Sequence, residues 1–398
     1  MERPPAPGLT PATLALLAVA TGLLAGGNYL NQPLLAEIAQ ALDVSDAAAG
    51  RTVTVAQVAY ALGLALLVPL GDRFEQRNLA ALLIALTAVG HTVSGFATTF
   101  PALVTGIALA AVSAAAAQVL VPMAAALSDP VRQGRTVGIV MSGLVTGTLV
   151  ARAASGALAE LGDWRTPYRV VAVLLLAIAA AGLLTVPKVG ATTRARYGAI
   201  LASVVRLLRD EPRLRTRGAT SALTFASISA LWATMTFLLA GDPHTLSPAQ
   251  IGLVTLAGVI GAQAATVAGH LADRGFAQRT TAVALAVLFL SWAVLVPATR
   301  WLAAMIVGFV LIDAALQAVH LSSQNVVYSL VDGARSRLNA AYMTTYFAGG
   351  ALGSWLGVWA WSGWGWPGVC VVATGLAAGA VVAWLLDLRA ERAEGRPV

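Results

Sequence analysis

Gly71-Asp72-Arg73-Phe74-Glu75-Gln76-Arg77 closes one long apolar run, and Asp273-Arg274-Gly275-Phe276-Ala277-Gln278-Arg279 closes another 201 residues later. Each sets an Asp-Arg pair and a further arginine in a short break between stretches of Ala, Leu, Val and Gly. A second echo runs in step with the first, because Asp129-Pro130-Val131-Arg132 returns as Asp332-Gly333-Ala334-Arg335. Asp163-Trp164-Arg165 has a weaker counterpart in Gly365-Trp366-Pro367. One unit of about half the chain, duplicated once, is the economical reading.

The runs between these breaks decide the solvent. Of 398 residues 58% are apolar and 11% charged, against about 45–50% and about 25% in soluble domains. Too little charge remains to dissolve a core of this size in water, so the fold is read as an all-α integral membrane protein. At roughly 20 residues per crossing, the apolar runs give twelve spans: 13–38, 51–70, 79–98, 102–127, 136–158 and 167–186, then 217–240, 248–271, 280–298, 302–329, 338–361 and 365–386. They predict two pseudo-symmetric six-helix bundles, residues 1–186 and 217–398, joined by a linker at 187–216. The linker region carries Lys188 and a run of arginines. Its segment from Tyr197 to Arg209 alternates apolar and basic faces, as an amphipathic helix on the inner leaflet would.

Of the 25 basic residues, 20 lie in the terminal segments, the even-to-odd loops and the linker; the opposite loops hold Arg51, Arg165, Arg169 and Arg300. The positive-inside rule puts both termini and the linker in the cytoplasm. The opening MERPPAPGLTP lacks a basic leader, so the first span is read as retained. The basic balance is a topology signal here, not a nucleic-acid face. Cys370 stands alone, and His91, His244, His270 and His320 lack metal-ligand spacing, so neither a disulfide framework nor a metal site is expected.

The loop Gly269-His-Leu-Ala-Asp273-Arg274 and its partial copy at Asp72, Arg73 and Arg77 resemble the signature Gly-x-x-x-Asp-Arg/Lys-x-Gly of the major facilitator superfamily. The copies depart from it at Val68, Glu75 and the early Gly275. Span 5 carries Gly138, Gly143, Gly147, Ala151, Arg152, Ser155 and Gly156, and is similar to the antiporter motif of the 12-helix drug:proton exchangers, with Arg152 where that motif has proline. Small residues every fourth position let a neighbouring helix approach to backbone distance. Gly349, Gly353 and Gly357 repeat the spacing in span 11. The resemblance implies that Asp72, Arg73, Arg77, Asp273 and Arg274 form a cytoplasmic gate, in which Asp72 meets span 11 and Asp273 meets span 5 at helix N-termini. A solvated tight turn is the plainer alternative. It also implies that spans 1, 4, 7 and 10 border a central cavity.

Two charges fall well inside spans, away from the ends, Arg152 and Asp313, and an unpaired charge there costs at least about 2.5–3.5 kcal/mol. Asp313, Gln317, His320 and Gln324 share one helical face of span 10. Asp313 is read as the protonation site, and His320 as a relay or a packing histidine. Arg152 is an anchor for an anionic group, a counter-charge for Asp313, or a structural residue. Asn28, Asn31, Gln32, Gln118, Phe225 and Trp232 complete the expected cavity wall, with interhelical hydrogen bonding as the alternative for the amides. His91 has no polar stripe and is read as structural. Trp355, Trp359, Trp361, Trp364 and Trp366 read as an interfacial aromatic belt.

The expected function is secondary active transport, as proton-coupled export of a small organic drug or metabolite by alternating access. Uptake by the same fold is the alternative, and a non-transporting sensor is more remote. No phosphate loop is available, since the single lysine sits in Pro187-Lys188-Val189. No His-Glu-x-x-His or paired-Asp arrangement lies in a span, so no enzyme and no cofactor are expected. Arginine in place of lysine and abundant alanine suggest a GC-rich bacterium, hence its inner membrane, and the resemblance implies a monomer.

Overall fold

The computed structural model describes residues 9–129, 132–191, 196–262, 276–331 and 335–393. Among these the secondary structure is helical throughout, without a strand. Ten helices among the described residues are long and apolar enough to cross a membrane. The last, Arg335–Ala393, holds spans 11 and 12, because the chain reverses at Gly365 with φ 61, a conformation that side chains disfavour. Span 8 begins as Pro248–Leu256 and Gly258–Ala262. The rest of it, with Gly269, Asp273, Arg274 and Gly275, lies outside the described residues.

Several spans depart from the continuous helices expected. Span 1 is Pro11–Gly27, a break at Asn28–Asn31, a 3-10 turn Gln32–Leu34 and Leu35–Ala41. Gly26 and Gly27 weaken the helix there, and Pro33 cannot donate to its ladder. Span 4 tightens into a 3-10 turn at Ala114–Ala116 before Ala117–Ala126, which contains Pro122. Span 7 starts at Pro212, ahead of the expected 217. Glu75, where a glycine was usual, caps span 3 (Gln76–Gly95) by accepting from the amides of Arg77 and Asn78 at 2.9 and 3.1 Å.

Packing repeats between the two parts of the chain. A Cβ added at Gly143 or Gly147 would strike the backbone of Ala18 or Gly22 in span 1, and Ser155 donates to the Leu30 carbonyl at 2.6 Å. Likewise Gly349, Gly353 and Gly357 pack on the backbone of Ala222, Ala226 and Ala230 in span 7. Gly138 corrects the expectation: no described neighbour lies within 4 Å of a Cβ built there, because span 5 (Gln133–Glu160) is largely exposed toward its start. Gly156 turns the other way, against Pro248 of span 8.

Call the end that carries the linker the linker end, and the other the far end. Contacts between the first six spans and the last six gather from mid-span to the far end. Thr54 and Ser354 hydroxyls lie 2.9 Å apart, Ser247 donates to Glu160 at 2.6 Å, Thr236 donates to the Gln32 carbonyl, and the Tyr60 and Phe347 rings lie 4.5 Å apart. At the linker end, Tyr197 of the linker helix Tyr197–Asp210 donates to the Leu66 carbonyl at 2.6 Å. That helix is amphipathic as expected, but Val204, Leu207 and Leu208 pack on Leu214, Val327, Leu338 and Tyr342 of the second half. Val205 of the same helix stays exposed, 65%. Trp355, Trp359 and Trp364 are exposed near the far end, whereas Trp366 is buried and donates to the Leu295 carbonyl at 2.9 Å, so it is no part of a belt.

Candidate functional site

The break in span 1 turns Tyr29 and Gln32 toward span 5, where Arg152 is 3% exposed. Its guanidinium sits in the corner of two rings set edge to face, 4.4 Å from the Tyr29 ring centre and 4.3 Å from that of Trp232. Nε donates to Gln32 Oε1 at 2.6 Å and Nη1 to the Thr148 carbonyl at 3.0 Å. Cation–π contact with both rings and two hydrogen bonds offset the desolvation of a cation at this depth. Trp232 belongs to span 7, so the cation–π contact joins the two halves.

Asp313 in span 10 is 4% exposed and faces span 8, where a Cβ at Gly258 would sit 3.6 Å from its Oδ2. Oδ2 has no hydrogen-bond partner among the described residues. The Arg152 charge reaches Asp313, although no ion pair closes between them. Gln32 Nε2 and Trp232 Nε1 are likewise buried without partners. The two residues that carry these unpartnered donors both touch Arg152, and buried groups of this kind are rarely left bare.

An aromatic wall continues from Trp232. Phe225 lies edge-on to Trp232 at 5.8 Å and stacks on Tyr346 at 4.1 Å, with Phe347 5.4 Å away. His320 Nδ1 is 3.0 Å from the Tyr342 hydroxyl, which lies 2.9 Å from Ser221 Oγ. Gln317 and Gln324 are partly buried on the same face of span 10. Gln118 lies near the Tyr60 hydroxyl. Asn31 donates to Thr52 at 2.8 Å and so ties span 1 to span 2 instead of facing the Arg152 site, while Asn28 lines a small cavity beside His91.

The gate residues divide. Asp72 is half-buried and partnered, and Arg73 is exposed beside Phe74. Arg77 donates to the Leu183 and Val186 carbonyls at 3.2 and 3.3 Å, closing the end of span 6 within its own half. Sequence reasoning missed Tyr29, Tyr346 and Tyr342, since an aromatic ring in a span carries no polar signal. It also missed a buried ionic cluster at the linker end. There Arg213 and Arg217 of span 7 meet Asp387 and Glu391 of span 12, with contacts from 2.7 to 3.4 Å. The pairs at i and i+4 in both helices were the available signal.

The family model of the Major Facilitator Superfamily matches residues 17–241 and 218–398. An uncharacterised transporter of Escherichia coli (strain K12), YgaY, is 41% identical over 376 residues, covering 94% of this chain and 95% of that protein. A chloramphenicol resistance protein of Streptomyces lividans is 30% identical over 292 residues, 72% of each. The fold is similar to that of a bacterial homologue of the human lysosomal transporter Spinster, in its inward-facing and occupied conformation. The TM-score is 0.74 at 14% identity, over 98% of this chain and 100% of that one. This chain belongs to the Major Facilitator Superfamily, as a membrane transporter and not an enzyme.

Proposed function

We propose that the protein is a proton-coupled exporter of a small organic compound, working as a monomer in a bacterial inner membrane with both termini and the linker in the cytoplasm. Residues 1–186 and 217–398 then move as two bodies about residues 187–216. With that orientation, the contacts toward the far end describe a transporter closed to the outside.

The observation that carries the reading is the buried Asp313 carboxylate oxygen, without a hydrogen-bond partner among the described residues and within reach of the Arg152 charge. A desolvated carboxyl so placed is suited to take up and release a proton as its surroundings change. Charged Asp313 is attracted to Arg152; protonated Asp313 is not, so proton exchange alters the balance between states that hold Arg152 differently. Gln32, Trp232 and Arg152 offer donors to an acceptor group, and Phe225, Tyr346 and Phe347 offer faces to a ring. His320, hydrogen-bonded through Tyr342, is assigned to proton relay. Asp72, Arg73, Asp273 and Arg274 are assigned to the cytoplasmic gate. The resemblance to a chloramphenicol resistance protein supports an organic, antibiotic-like cargo.

The test is substrate-induced proton release from inverted vesicles, followed with a pH-gradient dye across chloramphenicol, cationic drugs, sugars and amino acids. Asp313→Asn at matched expression is the control. Release that disappears in the variant is expected. Release unchanged by the variant removes Asp313 as the coupling site. Tracer accumulation against the opposite gradient would establish uptake instead of export.

A further inference from the structure

The Arg152 and Asp313 site leaves a second set of buried polar groups unused. Inside the first six spans, a small cavity is lined by Gly27, Asn28 and Asn31 of span 1, His91 of span 3 and Tyr168 of span 6. His91 is 3% exposed and Tyr168 1%. Neither ring nitrogen of His91 nor the Tyr168 hydroxyl has a hydrogen-bond partner among the described residues. The two rings lie 6.0 Å apart by their centres, with no hydrogen bond between them.

A neutral imidazole presents one donor and one acceptor, and a phenol hydroxyl presents both. Proteins seldom bury such groups bare, and ordered water commonly satisfies them. The cavity has room for about one water molecule, and its walls supply more than the two polar partners that a buried water needs. It is too small for an organic ligand. One imidazole with no carboxylate or thiol in the lining makes no metal site. A charged imidazolium would have no counter-charge in that lining, so His91 acts there as a neutral hydrogen-bonding group.

Gly27 explains the location. A Cβ at that position would lie 2.7 Å from His91 Nε2, so glycine lets the imidazole stand in this place against the backbone where the first helix ends. We propose that His91, Tyr168 and Asn28 form a buried water-binding site at the break in span 1, separate from the transport site. The bound water joins spans 3 and 6 to the segment that leads into Tyr29 and Gln32. The inference does not depend on the substrate or on the coupling ion.

The experiment is pulsed hydroxyl-radical footprinting of the full chain in lipid nanodiscs in 18O-water, read residue by residue by mass spectrometry. A bound water labels adjacent buried side chains at short exposure. The comparison is Tyr342, which is 0% exposed but whose hydroxyl is already engaged by Ser221 and His320. Tyr168 is expected to label several-fold faster than Tyr342, and His91→Phe is expected to abolish the excess. Labelling of Tyr168 at or below the Tyr342 rate overturns the proposal, and this comparison needs no variant to fold. A folded His91→Phe protein that keeps the full excess overturns the assignment of His91.

Discussion

Replacing Asp387 by leucine isolates the buried ionic cluster. Asp387 and Arg217 are both 0% exposed, with Arg217 Nε 2.7 Å from Asp387 Oδ2. Asp387 also accepts from Arg213 at 3.4 Å and from Thr216 and Gln278 at 2.9 Å each. Removing one partner of a buried pair leaves the other charge uncompensated and costs about 3–5 kcal/mol, whereas replacing both with apolar residues is often neutral. At about 2 °C per kcal/mol for a large domain, Asp387→Leu should lower the apparent melting temperature by about 6–10 °C. The double variant Asp387→Leu/Arg217→Met should recover most of that, because Arg213 keeps Glu391 at 2.7 Å. Cys370, 7% exposed, is a built-in reporter. A thiol-reactive dye follows its exposure on heating, at one fixed scan rate because such unfolding is commonly irreversible. A single variant within 2 °C of the parent, or a double variant no more stable than the single, would refute the argument.

Gly147→Leu should abolish folded expression, since any side chain there meets the Gly22 backbone, while Gly138→Leu should be accepted; size-exclusion profiles of the two decide. Thr54→Cys with Ser354→Cys, whose parent oxygens lie 2.9 Å apart, should form a disulfide on mild oxidation and stop transport until reduced, as read by tracer flux. Trp232→Leu removes a ring that touches Arg152 and a contact between halves, so both the apparent substrate affinity and the apparent melting temperature should fall, measured by binding and by the dye assay.

The fold was legible because its signals are long: apolar runs, loop motifs repeated half a chain apart, and a charge bias between the two loop sets. The small-residue stripes were legible too, as the backbone contacts of Gly143, Gly147, Gly349, Gly353 and Gly357 show. Gly138 shares their spacing but not their packing, since spacing along one helix does not report whether a neighbour is present. Arg152 and Asp313 stood out by their charge, yet their surroundings did not. Tyr29 and Trp232 reach Arg152 only because span 1 breaks and the halves meet, which is tertiary information. Arg217 and Asp387 were counted with the linker and tail, because hydropathy averages over charges near a helix end and cannot tell a solvated arginine from one sealed against an acid. The linker helix was legible as amphipathic, but not the surface that its apolar side would choose.

The most direct measurement separates exchange from driven flux in proteoliposomes, using the compound that the vesicle panel identifies. Exchange of labelled for unlabelled substrate needs alternating access but no net proton movement, whereas accumulation driven by a pH gradient needs a titrating group. Asp313→Asn is predicted to keep exchange near the parent rate and to lose gradient-driven accumulation. A variant that still accumulates substrate in response to the gradient would contradict the account.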